Sequence, residues 1–340
     1  MRGWRLAAAL MVVLAVHGAR AEDPSPGWIA DTRTGCRVWN PNPQPNEAVT
    51  WSFITKPQAL AFGGGTDALE LANPISSEMT HMRPSLLPGL LTALQRNRDR
   101  GLGDHGLFEV GQIYRGTRPE EQLRAAAAVR TSLSRGAGSG RHWQAGGTTA
   151  DAFEAKADIG AVLSHFGLDI NKLQVTREAP EWFHPGRSGA VRMGPKVVLA
   201  HFGELHPQAL KAQGVDAPVI GFELFLDQVP AAKKRPTRAK PALEAADLQP
   251  VRRDLAFVLD RDVAAADVVK AAEGIDRKLI SGVTVFDVFE GGSLGAGKKS
   301  LAIEVTLQPR EKALTAEEID AVAARIVAQV KKATGGEVRG

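Results

Sequence analysis

The 340-residue sequence holds a single cysteine, Cys36, so it can form no internal disulfide and no cysteine-based zinc site. It also lacks a strong excess of either charge. The 42 Lys and Arg against 38 Asp and Glu leave a formal charge of +4, which permits contact with nucleic acid without demanding it. The apolar run near the N-terminus, Leu6 to Val16, is too short to span a bilayer. No pair of histidines has metalloprotease helix spacing, and the Ser, His and acidic residues form no nucleophile signature. With 44% hydrophobic and 24% charged residues, the composition is that of an ordinary globular protein long enough for two folded domains.

Two motifs approach chemistry and stop short. The run from Gly292 to Lys299, GSLGAGKK, nearly spells a phosphate-binding loop, but Lys299 stands where a Ser or Thr must reach magnesium. A strand pattern comes next rather than a helix, so the amide cradle of a helix N-terminus is missing and a hairpin loop is expected. The blocks His184-Pro185-Gly186-Arg187-Ser188-Gly189 and Phe202-Gly203-Glu204-Leu205-His206-Pro207 gather His, Glu and Arg, yet His201 and His206 straddle a glycine turn instead of sharing a helix face. No catalytic residue and no metal ligand is assigned.

Met1 to Ala21 has basic Arg2 and Arg5, then the apolar run, then Ala19-Arg20-Ala21 before Glu22, the three-part order of a secretory signal. Residues 22–51 read as irregular, and the Pro- and Asn-rich text from Asp31 to Ser52 changes register so abruptly that a join of foreign sequence is expected there. Residues 52–229 alternate strands and short helices. Leu107 to Tyr114, Lys196 to Phe202 and Phe222 to Val229 are predicted strands, and Ile159, Val162, Leu163 and Phe166 mark a helix ended by Gly167. Arg135 to Thr149 is glycine-rich and reads as a loop. Residues 230–247 form a linker, in which Pro230 to Pro241 carries five basic residues, three prolines and no acid; a solvated spacer and a phosphate-contacting strap fit it equally.

Residues 248–340 have the clearest periodicity. Strands are predicted at Arg253 to Leu259, Val283 to Glu290, Ser300 to Leu307 and Glu337 to Arg339, with helices at Ala264 to Ala272 and Ala316 to Lys332. This βαββαβ order is the ferredoxin-like split unit. Leu301, Ile303, Val305 and Leu307 alternate with Ala302, Glu304 and Thr306, giving one buried and one open face. Thr315 and Glu318 have capping-box spacing. An open sheet of this topology is a platform on which aromatics stack on unpaired bases. Phe286 and Phe289 should face opposite ways, leaving at most one of them to stack. From Leu248 onward fourteen basic residues balance fourteen acidic ones, so RNA contact needs a local patch, for which Arg252, Arg253, Lys298 and Lys299 are the candidates.

The stretch Asn73 to Gly111 contains a helix marked at both ends. Ser85 can cap it, Pro88 sits in the first turn, Gly101 can end it, and Leu86, Leu87, Leu90, Leu91 and Leu94 share one face opposite Arg96, Arg98 and Arg100. The leucine stripe is a packing surface, against the chain's own core or against a partner.

This stretch, through Asn73-Pro74-Ile75-Ser76, Met82-Arg83-Pro84-Ser85-Leu86-Leu87-Pro88-Gly89-Leu90-Leu91 and Leu107-Phe108-Glu109-Val110-Gly111, resembles the bacterial phenylalanyl-tRNA synthetase beta subunit family. Val251 to Val258, Phe286 to Gly291, Lys298 to Ala302 and Leu314 to Glu318 are similar to that family's anticodon-binding domain, with Ala313 standing where members usually carry threonine. The resemblance runs from about Asn46 to Gly340. It implies an α+β fold: an inactive class II synthetase-like mixed or antiparallel sheet with helices, then the ferredoxin-like domain. It further implies a heterotetrameric ligase in which the alpha subunit is catalytic, ATP and Mg2+ serve the holoenzyme and are not bound by this chain, and phenylalanine tRNA is the nucleic-acid partner. Under it, Leu86, Leu87, Leu90, Leu91 and Leu94 would dock the alpha subunit, and segments for editing and magnesium binding would lie upstream. A cytoplasmic location is implied by the resemblance and conflicts with the signal-like residues 1–21. The alternative from another class is a non-enzymatic RNA-binding or interaction protein, possibly exported.

Overall fold

A computed structural model describes residues 27–30, 37–40, 46–101, 106–131, 150–230, 246–291 and 294–339. The signal-like segment 1–21, the glycine-rich loop and residues 231–245 of the basic linker lie outside the described residues. The chain divides into two compact units, Met1–Lys234 and Arg235–Gly340. Among the described residues no helix is long and apolar enough to cross a membrane.

In the first unit β1 (Gly27–Ala30) and β2 (Arg37–Asn40) form an antiparallel ribbon. β3 (Asn46–Glu47) then enters the main sheet, so the stretch 22–51 is not irregular throughout. β4 (Phe53–Ile54) and β5 (His81–Met82) pair as a second small ribbon flanking α1 (Lys56–Ala61), which Thr55 and Gln58 close with a capping box. α2 (Leu87–Asp99), β6 (Gly106–Tyr114), β7 (Gln122–Thr131), α3 (Ala152–His165), β8 (Gln174–Thr176), β9 (Phe183–Met193), β10 (Val197–Leu205), α4 (Pro207–Ala212) and β11 (Val219–Phe225) come after it. The seven-stranded order is β3-β6-β7-β11-β10-β9-β8, antiparallel throughout except for the β3–β6 pair.

β7 carries Ala125, Ala126, Ala127 and Ala128, all buried. Ala126 and Ala128 pack in the core with Ile159, Val162 and Leu163 of α3, while Ala125, Ala127 and Val129 pack with Leu87, Leu90, Leu91 and Leu94 of α2. Alternate residues of one strand thus serve two helices, and a strand covered on both faces reads as a continuous apolar run. The leucine face of α2 is therefore filled by the chain's own sheet. Leu86, Leu87, Leu90, Leu91 and Leu94 are no more than 1% exposed, which corrects their assignment as a subunit interface: they cannot be touched without opening the core.

Beside this helix lies a buried polar network. Arg83 donates from Nη1 to Glu109 Oε1 at 2.8 Å and to Thr50 Oγ1 at 3.0 Å, and from Nε to the Gln112 carbonyl at 2.9 Å. Thr50 Oγ1 donates to Glu109 Oε2 at 2.6 Å. Gly111 and Gly89 leave room for it, since a Cβ at Gly111 would stand 2.4 Å from Arg83 Nη2 and one at Gly89 would stand 2.2 Å from Thr50 Oγ1. The helix start differs from the expected Ser85 cap. Leu86 is the N-cap residue, Ser85 Oγ accepts from the Leu87 amide at 3.1 Å, and Glu223 Oε1 accepts from both the Leu86 amide at 2.8 Å and the Ser85 hydroxyl at 2.9 Å. Burial pushes the Glu223 carboxyl up, and those two hydrogen bonds pull it back.

The second unit comprises β12 (Val251–Asp260), α5 (Ala265–Glu273), β13 (Ile280–Phe289), β14 (Lys298–Leu307), α6 (Ala316–Thr334) and β15 (Glu337–Val338). Its antiparallel sheet has the order β13-β14-β12-β15, the ferredoxin-like arrangement. Phe257, Leu259, Leu301, Ile303, Val305 and Leu307 face Val268, Ala272, Val322, Ile326 and Val330 of the two helices. Thr315 and Glu318 close the expected capping box, and Gly335 at φ 72° ends α6.

Two measurements bear on these contacts. Arg83→Met leaves the Glu109 carboxylate buried beside Thr50 alone and should cost about 3–5 kcal/mol in urea unfolding, most of it recovered by adding Glu109→Leu. His201, on β10 with a buried Nδ1 that makes no hydrogen bond, is held down to about 4 by burial and by Arg115 and Arg192. The unfolded chain, at about 6.5, then takes the proton more readily, so stability is full above pH 6.5 and declines as pH falls toward 4. The loss should reach about 3 kcal/mol, read as the difference in pH dependence between this chain and His201→Gln.

Candidate nucleic-acid interface

The face of the β12–β15 sheet away from α5 and α6 is open. Cross-strand register defines it: Phe289↔Ser300↔Val258↔Glu337 make one row, and Asp287↔Ala302↔Ala256 the next, with the Arg339 amide bonded to the Ala256 carbonyl at 2.8 Å. Beyond them Thr284↔Glu304↔Asp254 and Thr306↔Arg252 complete the surface.

Both phenylalanines are exposed, Phe286 by 56% and Phe289 by 42%, and neither packs inward as the alternation rule required. The cause is a register shift between Val285 and Asp287, which makes Phe286 an extra residue and resets the parity of the strand beyond it. Sequence shows no signal for such a bulge. The Phe289 ring also lies against Gly291, where a Cβ would stand 2.4 Å from it.

The four basic candidates do not form one patch. Arg252 is on the open face, 3.6 Å from Glu304, whereas Arg253 points to the helix side and lies 3.6 Å from Asp320. Lys298 is at the end of the open face, its ammonium 2.7 Å from Asp260, whose hydrogen bond and charge raise it further above its ordinary value. Lys299 is only 8% exposed and donates to the carbonyls of Arg261 at 3.0 Å and Val263 at 2.5 Å. It fastens the turn after β12 and cannot reach a ligand, because its odd-numbered position shares the buried face with Leu301 and Ile303. The glycine-rich turn before it leads into β14 as a hairpin, with Gly295 and Gly297 at positive φ.

Arg339 was not among the sequence candidates. Its guanidinium lies 5.8 Å from the centre of the Phe289 ring, a cation–π contact across the open face. The alternation Glu337, Val338, Arg339 in the final strand was the available signal. In the first unit, His184 and His206 stack at 6.3 Å with each Nδ1 accepting a backbone amide, and Arg187 pairs with Glu204. Among the described residues no group of three His, Cys, Asp or Glu could hold a metal ion.

The second unit is thus a ferredoxin-like fold with one open face, placed in the chain after a mixed sheet covered by helices on both faces. Residues 246–339 match the ferredoxin-fold anticodon binding domain, and residues 44–226 match the phenylalanyl tRNA synthetase beta chain CLM domain. The chain belongs to the phenylalanyl-tRNA synthetase beta chain family. It is 57% identical over 293 residues to the phenylalanine–tRNA ligase beta subunit of Bradyrhizobium diazoefficiens, covering 86% of this chain and 36% of that one. It is likewise 57% identical over 295 residues to the beta subunit of Rhodopseudomonas palustris, and 54% over 299 residues to that of Nitrobacter winogradskyi, covering 86% of this chain and 37% of each. The chain thus spans a little over a third of the length of these relatives.

Lys299→Met should lower the thermal midpoint, by about 1–3 kcal/mol of lost stability, since two carbonyls lose a charged donor. Gly291→Ala, which drives a methyl into the Phe289 ring, should leave the midpoint nearly unchanged while altering the Phe289 ring resonances in NMR spectra.

Proposed function

We propose that this chain is a part of a phenylalanine–tRNA ligase beta subunit that holds the anticodon region of phenylalanine tRNA and docks an alpha subunit, supporting ATP-dependent joining of phenylalanine to the tRNA. The observation that carries the reading is the ordered pair of family matches on one chain, 44–226 and then 246–339. On this reading the chain has two working regions, 52–229 for docking and 248–340 for RNA, joined by the linker 230–247. ATP and Mg2+ act in the holoenzyme, and no residue here is assigned to either. The use of tRNA and ATP favours a cytoplasmic location.

With the leucine helix internal, docking must use another surface. Val49 and Trp51, 91% and 63% exposed, stand on the outer side of the extended segment whose inward residue, Thr50, joins the Arg83 network. Leu60 and Ile75 are exposed apolar residues of the same unit. These side chains are the docking candidates.

Purified alone, the chain should charge no phenylalanine tRNA in the presence of phenylalanine, ATP and Mg2+. Co-expressed with an alpha subunit of a rhizobial relative, it should co-purify with it, and Trp51→Glu should abolish the recovery. Charging by the chain alone would overturn the reading, and recovery of RNA without alpha subunit would move it to the binding-module class.

A further inference from the structure

The two histidine-bearing blocks that the functional reading leaves unused meet in the first unit, at a break in the β9–β10 ladder. Ser188 pairs with Gly203 and Phe183 with Leu205, so the four residues His184 to Arg187 stand opposite Glu204 alone. A bulge of this kind re-aims the side chains it carries. This one is firmly held. Ser188 Oγ donates to the His184 carbonyl at 2.6 Å, and Arg187 pairs with Glu204. Gly203, at φ 137°, lets the bulge close on β10, since a Cβ there would stand 2.4 Å from the Arg187 carbonyl oxygen. Arg187 and His184 are thereby brought to Glu204 and His206, alternate residues on the side opposite the buried Leu205.

Hydrogen bonds fix which nitrogen of each ring faces outward. Nδ1 of His184 accepts from the Gly186 amide and Nδ1 of His206 from the Gln208 amide, both at 3.1 Å, so in each neutral ring the proton is on Nε2. Neither Nε2 has a hydrogen-bond partner among the described residues, and neither is shut away from solvent. The two half-buried rings lie at 28° to each other with centroids 6.3 Å apart. Glu204 accepts from Nε and Nη2 of Arg187, which leaves three of the five guanidinium N–H donors on the same side.

A metal ion needs a lone pair, and the outward nitrogens carry protons instead. An oxyanion needs donors, which is what the group offers. The donors come from two stacked rings and a guanidinium rather than from one plane, so they suit the non-coplanar oxygens of a phosphate better than a flat carboxylate. Glu204 already balances Arg187. A singly charged phosphate therefore gains the hydrogen bonds with little repulsion, whereas a doubly charged one is opposed by the carboxylate.

We propose that His184, His206 and Arg187 form a site for a phosphodiester, the singly charged phosphate of a polynucleotide backbone. The site is in the first unit, so it depends neither on alpha-subunit docking nor on anticodon binding by the second unit.

The test uses the full chain labelled at histidine nitrogen, and follows the Nε2 signals of His184 and His206 by NMR. Dimethyl phosphate and a short single-stranded RNA should move both signals, while acetate and Zn2+ at equal concentration should move neither. His184→Asn and His206→Asn each keep an acceptor where Nδ1 stood and remove the outer donor. Each should retain the parent's thermal midpoint and raise the dimethyl phosphate concentration needed to move the other ring's signal by about two- to tenfold, the range for one neutral hydrogen bond. Silence of both signals toward dimethyl phosphate and RNA would overturn the site. Movement by Zn2+ would make it a metal site, and a stronger response to adenosine monophosphate than to dimethyl phosphate would make it a monoester site; either result overturns the proposal. So would a response of each ring that is unchanged by loss of the other, since the two rings would then act separately.

Discussion

The first unit depends on an ion pair that water does not reach. Arg83 and Glu109 are buried together, with Thr50 bridging them and the Gln112 carbonyl accepting a further hydrogen bond from the guanidinium. Burying two charges costs several kcal/mol per ion, repaid only where geometry and hydrogen bonds are complete. Here they are nearly so. The network ties the segment after β3, the turn before α2 and the strand β6, three pieces well separated in sequence. Glu223 performs the same service two strands over, on β11, accepting from the amide of the N-cap residue Leu86 and from the Ser85 hydroxyl. The network fixes the helix in depth and direction while its leucines pack, so the apolar core and the polar network specify one arrangement together.

How far the sequence was legible is explained by the same physics. The ferredoxin-like unit could be read with every element in order and its ends within three residues, because strict alternation on β14 and a capping box on α6 are local signals that tertiary contacts reinforce. The leucine periodicity of α2 was equally plain, but periodicity reports that a face is buried and not by what; the covering strand β7 is four alanines, a composition with little strand propensity, and no strand was expected there. β9 went unread for a related reason, since His184, Pro185, Gly186 and Arg187 resemble a site or a loop more than a strand. Lys299 shows the remaining limit. A lysine in a basic doublet looks like a surface charge, and only the pairing register places it on the buried face with two carbonyls to satisfy.

The two phenylalanines of β13 illustrate how one backbone irregularity alters a functional argument. Strict alternation would have given one ring on the open face and one in the core. The bulge at Phe286 exposes both and places Phe289 on the row of Ser300, within reach of Arg339. Asp254, Asp287 and Glu304 lie on this face, and Arg252 and Lys298 are each beside a carboxylate, which gives it a character unlike a simple positive platform.

β13 is also an edge strand carrying Phe286, Val288 and Phe289 in the open, a combination that in most proteins invites another chain to pair with it. The extra residue at Phe286 breaks the spacing of free amides and carbonyls along that edge, so a second strand cannot register against it. The same irregularity that aims the rings outward thus guards the edge, allowing apolar side chains to be displayed without offering the backbone as a template for aggregation.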